Sequence, residues 1–86
     1  MTDELAREVL EGMLRAARAD LLRLEVEVEA AEANLAIPDL PDEVRAAWEA
    51  DDRSRRLAAE AVRNRIAVIE RRLAGPSAAP PARGGT

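Results

Sequence analysis

The chain has 86 residues, with neither cysteine nor histidine among them. That inventory excludes thiol nucleophiles, imidazole bases and Cys/His zinc sites, so we expect no catalytic residue, no metal ligand and no cofactor. A formal net charge of −4 disfavours non-specific nucleic-acid binding, which needs a basic surface. No apolar run approaches the ~20 residues of a membrane span, and the N-terminus does not resemble a signal peptide. We therefore expect a soluble protein of the cytoplasm or of an intracellularly assembled particle.

The first predicted element is a long helix over about residues 3–36. Asp3 and Glu4 suit the positive end of a helix dipole, and Thr2 can cap it. Behind them, apolar residues recur at alternating intervals of four and three, which is the heptad pattern of a coiled coil. The members of this seam are Leu10, Leu14, Ala17, Leu21, Leu24, Val28, Ala31 and Leu35.

Two prolines then interrupt the helical pattern. Pro38 and Pro41 each disfavour helix in the residue before them, which predicts a turn over residues 37–40 with a reversal near Asp39. The helix that follows can begin in either of two ways. Asp39 can act as its cap, or Pro41 can take the first helical position after Leu40.

The second predicted helix covers about residues 41–74. A Gly-Pro pair ends it, and residues 75–86 are predicted to form a flexible tail rich in Pro, Gly and Ala. Projection at 100° per residue places Asp51 and Arg55 on the apolar stripe of this helix, so charge is expected to interrupt the seam. The apolar members of the stripe are Val44, Trp48, Ala59, Val62, Ile66, Ile69 and Leu73.

Two helices of nearly equal length joined by a short turn predict an all-α fold, an antiparallel two-helix coiled-coil hairpin. Folding about Asp39 would bring the arginines of residues 53–56 opposite Glu25, Glu27 and Glu29. A hairpin of this size has a small core. We therefore expect it to complete a bundle, either by dimerisation or by docking onto a partner.

The first helix carries more apolar side chains than one returning helix can cover. We interpret those outside the seam as a candidate interaction surface for a protein partner or a second copy. Trp48 has two readings: it packs against Leu35 or Ala31 near the tip, or it anchors an interface. The candidate interaction surface consists of Leu5, Val9, Met13, Leu22 and Val26.

Three carboxylates, Asp39, Asp42 and Glu43, form a candidate acidic tip. The Asp-Leu-Pro-Asp sequence at residues 39–42 and the segment 64–73 resemble the N-terminal coiled-coil domain of the Gre transcript-cleavage factors. The resemblance implies a regulatory factor that inserts its tip into RNA polymerase. Asp39 and either Asp42 or Glu43 would then match the acidic pair that helps hold magnesium. Helix capping alone also explains acids at a turn.

The favoured expectation is a non-catalytic structural or protein-protein interaction module. An assembly protein, an adaptor or a small virion-type component would fit, acting as a homodimer or within a larger assembly. Nucleic-acid binding through the second helix is a third possibility. Its arginines scatter around the helix among acids and have no aromatic platform beside them. They are Arg53, Arg55, Arg56, Arg63, Arg65, Arg71 and Arg72.

Overall fold

The computed structural model describes residues 3–75, which form two helices packed against each other. Helix α1 spans Asp3–Leu35 and helix α2 spans Asp42–Ala74. Within that range there is no strand, and the prediction of an all-helical hairpin is confirmed. The predicted Thr2 cap and the tail beyond residue 75 lie outside the described residues.

The connection between the helices runs through residues 36–41. Asp39 adopts a positive φ of 64°, a left-handed conformation that Asp tolerates better than most side chains. Pro41 occupies the N-cap of α2 with φ −58° and ψ 144°, and its carbonyl accepts the first helical hydrogen bond from Arg45 N at 2.9 Å. The cap is therefore made by backbone, without a capping side chain.

Helix α2 ends at a glycine whose conformation only glycine adopts readily. Gly75 has φ 81° and ψ 172°, and its N–H points back to the carbonyls of Arg71 and Arg72, each 3.2 Å away. This bond satisfies carbonyls that the end of the helix would otherwise leave unpaired.

The apolar seams of both helices face each other. Every predicted seam residue is buried or half-buried, although the heptad spacing of α2 passes through Arg45 and leaves Val44 at the edge of the seam. The most buried apolar side chains are few and small, however, and two of them are alanines. They are Ala17, Leu24, Ala59, Val62 and Ile69, with Leu10, Leu14, Leu21, Ile66 and Leu73 packed around them.

Three interhelical ion pairs set the alignment of α1 against α2. Arg18 pairs with Glu70, Glu25 with Arg63, and Glu32 with Arg56. Each step of seven residues forward along α1 matches seven residues back along α2, as required of an antiparallel coiled coil with one constant register. These three pairs are centred at residue 44, and the contacts Arg7–Leu73, Leu35–Arg45 and Glu27–Arg55 are centred at 40 or 41, so the helices reverse about a point at residues 40–44.

The expected pairing of segment 53–56 with Glu25, Glu27 and Glu29 is found only in part. Arg56 lies opposite Glu32, and Glu25 meets Arg63 rather than the segment 53–56. Only Arg55 reaches a glutamate of the expected group, with Nε 3.9 Å from Glu27 Oε1. The connection causes the shift because residues 36–41 continue past the end of α1 before α2 turns back.

The shifted register leaves both helices with projecting ends. At the start of α1, Arg7 Nη2 lies 3.4 Å from the Leu73 carbonyl, so about the first turn of α1 extends past the end of α2. At the other end, about the first turn of α2 extends past Leu35. Arg45 links the two helices at this end by donating a hydrogen bond from Nη1 to the Leu35 carbonyl at 2.9 Å.

The charge that enters the seam is Asp52, and placing Asp51 there was wrong. Asp52 is 8% exposed, whereas Asp51 is exposed to solvent. Arg55 is half-buried, in agreement with the projection. A uniform 100° step misplaces this acid because the seam of a coiled coil follows a 3.5-residue period, and the stripe drifts along a long helix.

Candidate interaction surface

The hairpin has two broad sides, and three of the four ion pairs between the helices over residues 3–75 lie on one of them, the fourth being Arg55–Glu27 on the other. The salt-bridge side carries the pairs Arg18–Glu70 at 3.0 Å and Arg63–Glu25 at 3.3 Å, together with the Arg56–Glu32 contact. Grooves on this side are lined mainly by charged residues, including Glu29, Glu49, Arg53 and Glu60. The seam is thus covered here by paired charges.

The opposite side, here called the open side, has two grooves, each lined by three charged residues and by four that are uncharged, mostly alanines. One groove opens where Ala17 takes the seam position and is bordered by Met13 and Ala16. A second opens at Ala31, beside Trp48. Because alanine fills less space than the leucines that alternate with it along α1, the seam is hollow at these two points, which lie ~21 Å apart.

Charge is distributed unequally between the two sides. On the salt-bridge side, the heptad positions that flank the seam hold 15 charged residues among 19. On the open side, the equivalent positions hold six among 18. The open-side positions are Ala6, Val9, Met13, Ala16, Asp20, Arg23, Glu27, Ala30, Asn34, Val44, Ala47, Asp51, Ser54, Ala58, Ala61, Arg65, Val68 and Arg72. The salt-bridge-side positions are Glu4, Glu8, Glu11, Arg15, Arg18, Leu22, Glu25, Glu29, Glu32, Asp42, Ala46, Glu49, Arg53, Arg56, Glu60, Arg63, Ala67, Glu70 and Ala74.

All five residues of the predicted interaction surface are exposed, and the fold spreads them over different directions. Val9 and Met13 belong to the open side. Leu5 and Val26 lie on the outer edge of α1, directly opposite its seam. Leu22 projects among the charges of the salt-bridge side. The sequence interpretation missed the exposed side chain of Val68, which shares the open side with Val9.

The sequence contains one signal that indicates this side. Uncharged residues recur at the heptad positions that flank the seam of each helix. Reading it required knowing that the positions on α1 and α2 share one side of the hairpin. The exposed Leu57 of α2 was also missed and lies on the outer edge of that helix.

Three of the six charged residues on the open side bind one another within α1, with a net charge of −1. Arg23 pairs through Nη2 with Asp20 and through Nη1 with Glu27 at 3.0 Å. The hydrogen bond to Asp20, followed by the one to Glu27, holds the pKa of the Arg23 guanidinium above its ordinary value. The three side chains form one bound cluster, which lowers the cost of covering them.

The buried carboxylate of Asp52 lies at the tip end of the salt-bridge side. Its Oδ2 accepts a hydrogen bond from Arg56 Nε at 2.9 Å, and Arg56 also binds Glu32 across the helices. Hydrogen bonds to Asp52 first and Glu32 second raise the pKa of Arg56. Oδ1 of Asp52 is buried, and no residue in the range 3–75 donates a hydrogen bond to it. One oxygen of this carboxylate is therefore removed from water without gaining a hydrogen bond in return.

Trp48 lies at the edge of the tip-end groove on the open side. It is half-buried and lines the groove with Ala30 and Ala31. Its ring therefore lies near Ala31, one of its two predicted neighbours. Part of the indole stays accessible to a partner that covers the open side.

The three carboxylates of the candidate tip are exposed and belong to different local structures. Asp39 stands in the connection, while Asp42 and Glu43 occupy the first turn of α2, where they favour the positive end of the helix dipole. Over residues 3–75 there is no group of three or more Asp or Glu side chains arranged to hold a metal ion.

The arginines of α2 do not form one uninterrupted basic surface. Arg55, Arg56 and Arg63 each contact a glutamate of α1, which reduces the positive charge they present. Arg65 lines the open-side groove at Ala17.

Neither helix is long and apolar enough to span a membrane within the part of the chain that the structure describes. Comparison of the sequence with protein families, with curated proteins and with solved structures gives no match.

Proposed function

We propose that this chain is a non-catalytic protein-protein interaction module of the cytoplasm, a helical hairpin that docks through its open side. The observation that carries the proposal is the unequal distribution of charge, with six charged positions among 18 on the open side and 15 among 19 on the other. Surfaces that are covered by a partner are depleted in charge at their centre, whereas surfaces that remain in water are not.

The small core supports the same conclusion. The most buried apolar side chains of residues 3–75 are five in number, and none is aromatic. Domains of this size without disulfides or metals depend on additional packing for stability. Docking on the open side would cover the hollows at Ala17 and Ala31 and extend the core across a second layer.

The test is to place charge on each side and to measure the mass of the assembly that contains the chain. Val9→Glu with Val68→Glu alters the open side, where both side chains are about half exposed. Leu22→Glu with Ala67→Glu places the same charge on the salt-bridge side and serves as the matched control. Each chain is purified from its native host under non-denaturing conditions, and its mass is measured by light scattering.

We expect the wild-type chain and the control to be recovered in one defined assembly heavier than the 9.3 kDa chain, and the open-side variant as the chain alone. Circular dichroism should show equal helicity for all three. A wild-type chain recovered as a monomer would refute the proposal, as would an assembly that the open-side variant leaves intact.

The acidic tip supports a second candidate function, a regulatory factor that inserts the tip into a polymerase channel. The observation that favours it is the exposure of Asp39, Asp42 and Glu43 where the chain reverses, at one extremity of the hairpin. Nucleic-acid binding through α2 remains a third proposal, for which salt-dependent retention on DNA or RNA is the direct test.

A further inference from the structure

We infer that the occupant of the open side is a second copy of this chain, packed with its hairpin tip at the same end so that α1 of each copy lies over α2 of the other. The inference rests on the docking role proposed above and specifies the partner. The resulting assembly is an antiparallel four-helix bundle in which each α1 lies between two α2 helices.

The net charges of the two helices favour this arrangement. Nine carboxylates and four arginines give α1 a net charge of −5, whereas seven carboxylates and eight arginines give α2 a net charge of +1. Contact between two α1 helices would bring like charge together. Contact between α1 and the α2 of another copy pairs opposite signs, as it does within the hairpin.

The charges of the open side fit the same alignment in detail. In the observed register Asp20 lies level with Arg65, and both line the groove at Ala17. With tips at the same end, each level of one copy faces the same level of the other, so Asp20 meets Arg65 of the second copy. With tips at opposite ends, face-to-face packing would instead lay α1 of one copy along α1 of the other, and two helices of net charge −5 would be in contact.

The dimensions of the open side match a stable dimer. Helices of 33 residues are ~50 Å long, and two of them packed ~10 Å apart present a side roughly 20 Å wide. Allowing for the projecting ends, on the order of 800 Å² per copy becomes buried, which is the usual contribution of one partner to a specific interface.

Single-cysteine cross-linking tests the side and the orientation together, because the natural chain has no cysteine. Ala58 and Val44 lie on the stripe of α2 that runs through Asp51 and Arg65 at seven-residue intervals, near the middle of the open side. In the proposed dimer the two copies of each residue lie at the same level, across the diagonal of the bundle, where the axes of the two α2 helices are about 14 Å apart. Ala67, an exposed alanine of the same helix on the salt-bridge side, is the matched control.

We expect the purified chain to have twice its 9.3 kDa mass in solution. A bifunctional maleimide with a short spacer, which bridges two thiols across that diagonal, should convert Ala58→Cys and Val44→Cys to covalent dimers and leave Ala67→Cys largely uncross-linked. Helicity of the three variants, measured by circular dichroism, checks that the substitutions leave the hairpin folded. Dilution should release Trp48 to water and shift its fluorescence to the red.

Three results would overturn the inference: a monomer at every concentration, cross-linking of Ala67→Cys in preference to Ala58→Cys, or a dimer in which Val44→Cys fails to cross-link. The last result indicates opposed tips, because the two Val44 positions would then lie tens of ångströms apart, beyond the reach of the short cross-linker. A monomeric purified chain that is still recovered from its host in an assembly abolished by Val9→Glu with Val68→Glu would remove this inference and leave the docking function standing.

Discussion

Arg63 donates a hydrogen bond from Nη2 to Glu25 Oε2 across 3.3 Å and joins residues 38 positions apart in the chain. The pair is one of three that repeat at seven-residue intervals, so it reports the register of the whole hairpin. Its side chains are each about half exposed, and solvent screening keeps its energy small. The contribution of such a pair is to alignment more than to stability.

A double-mutant cycle on Glu25→Ala and Arg63→Ala should therefore give a coupling free energy of ~0.2–1 kcal/mol. The free energy of unfolding is measured by urea denaturation followed by circular dichroism. The matched cycle combines Glu25→Ala with Arg53→Ala, the residue that a reversal at Asp39 would have placed opposite. That cycle should give no measurable coupling. Larger coupling in the second cycle than in the first would contradict the register described above.

Leu24→Asp should unfold the hairpin. Leu24 is 6% exposed at the centre of the seam, and an unpaired charge buried there costs several kcal/mol, comparable to the whole stability of a small domain. Leu22→Asp two residues away is the control, because Leu22 is 62% exposed. Thermal melting followed by circular dichroism should show helix lost only in the first variant. Equal melting curves would mean that Leu24 does not occupy the core.

Asp52→Leu should stabilise the chain by about 1 kcal/mol or more. The substitution removes a desolvated carboxylate with one unpaired oxygen, while Arg56 keeps its contact with Glu32. Asp51→Leu, at an exposed position, should change the free energy of unfolding by less than about 0.5 kcal/mol. Denaturant titration of both variants measures the difference. A destabilised Asp52→Leu chain would show that the buried acid has a partner in solution.

Replacing Gly75 and Gly12 with alanine should change the free energy of unfolding in opposite directions. Gly75→Ala should cost ~1–3 kcal/mol, because its φ of 81° with extended ψ is strained for any residue with a Cβ. Gly12→Ala should stabilise by up to ~1 kcal/mol, since Gly12 lies inside α1 and an added Cβ would approach nothing nearer than Arg15 Nη2 at 3.7 Å. Melting temperatures should therefore fall for the first variant and rise for the second. A rise for both would contradict the terminal geometry of α2.

Asp39→Asn with Asp42→Asn tests the acidic tip without altering its backbone. Asn tolerates the positive φ of Asp39 and also caps helices, so the fold and the assembly mass should be unchanged. If the tip acts in a polymerase channel, the same variant should lose transcript cleavage in a purified transcription assay while remaining folded. Wild-type chain that has no effect on transcription would remove the tip hypothesis.

The sequence by itself determined the elements of this protein. Apolar residues spaced by four and three specify helices with one continuous seam, and Pro38 and Pro41 prevent a single long helix, because neither requirement depends on distant contacts. Only the tertiary structure decided the register, the burial of Asp52 and the division into a salt-bridge side and an open side. A heptad pattern looks the same after every shift of seven residues, so it cannot distinguish Glu25 opposite Arg63 from Glu25 opposite an earlier arginine. The path of residues 36–41 and the sum of interhelical charge pairs select one alignment, and that alignment alone determines which residues share a side.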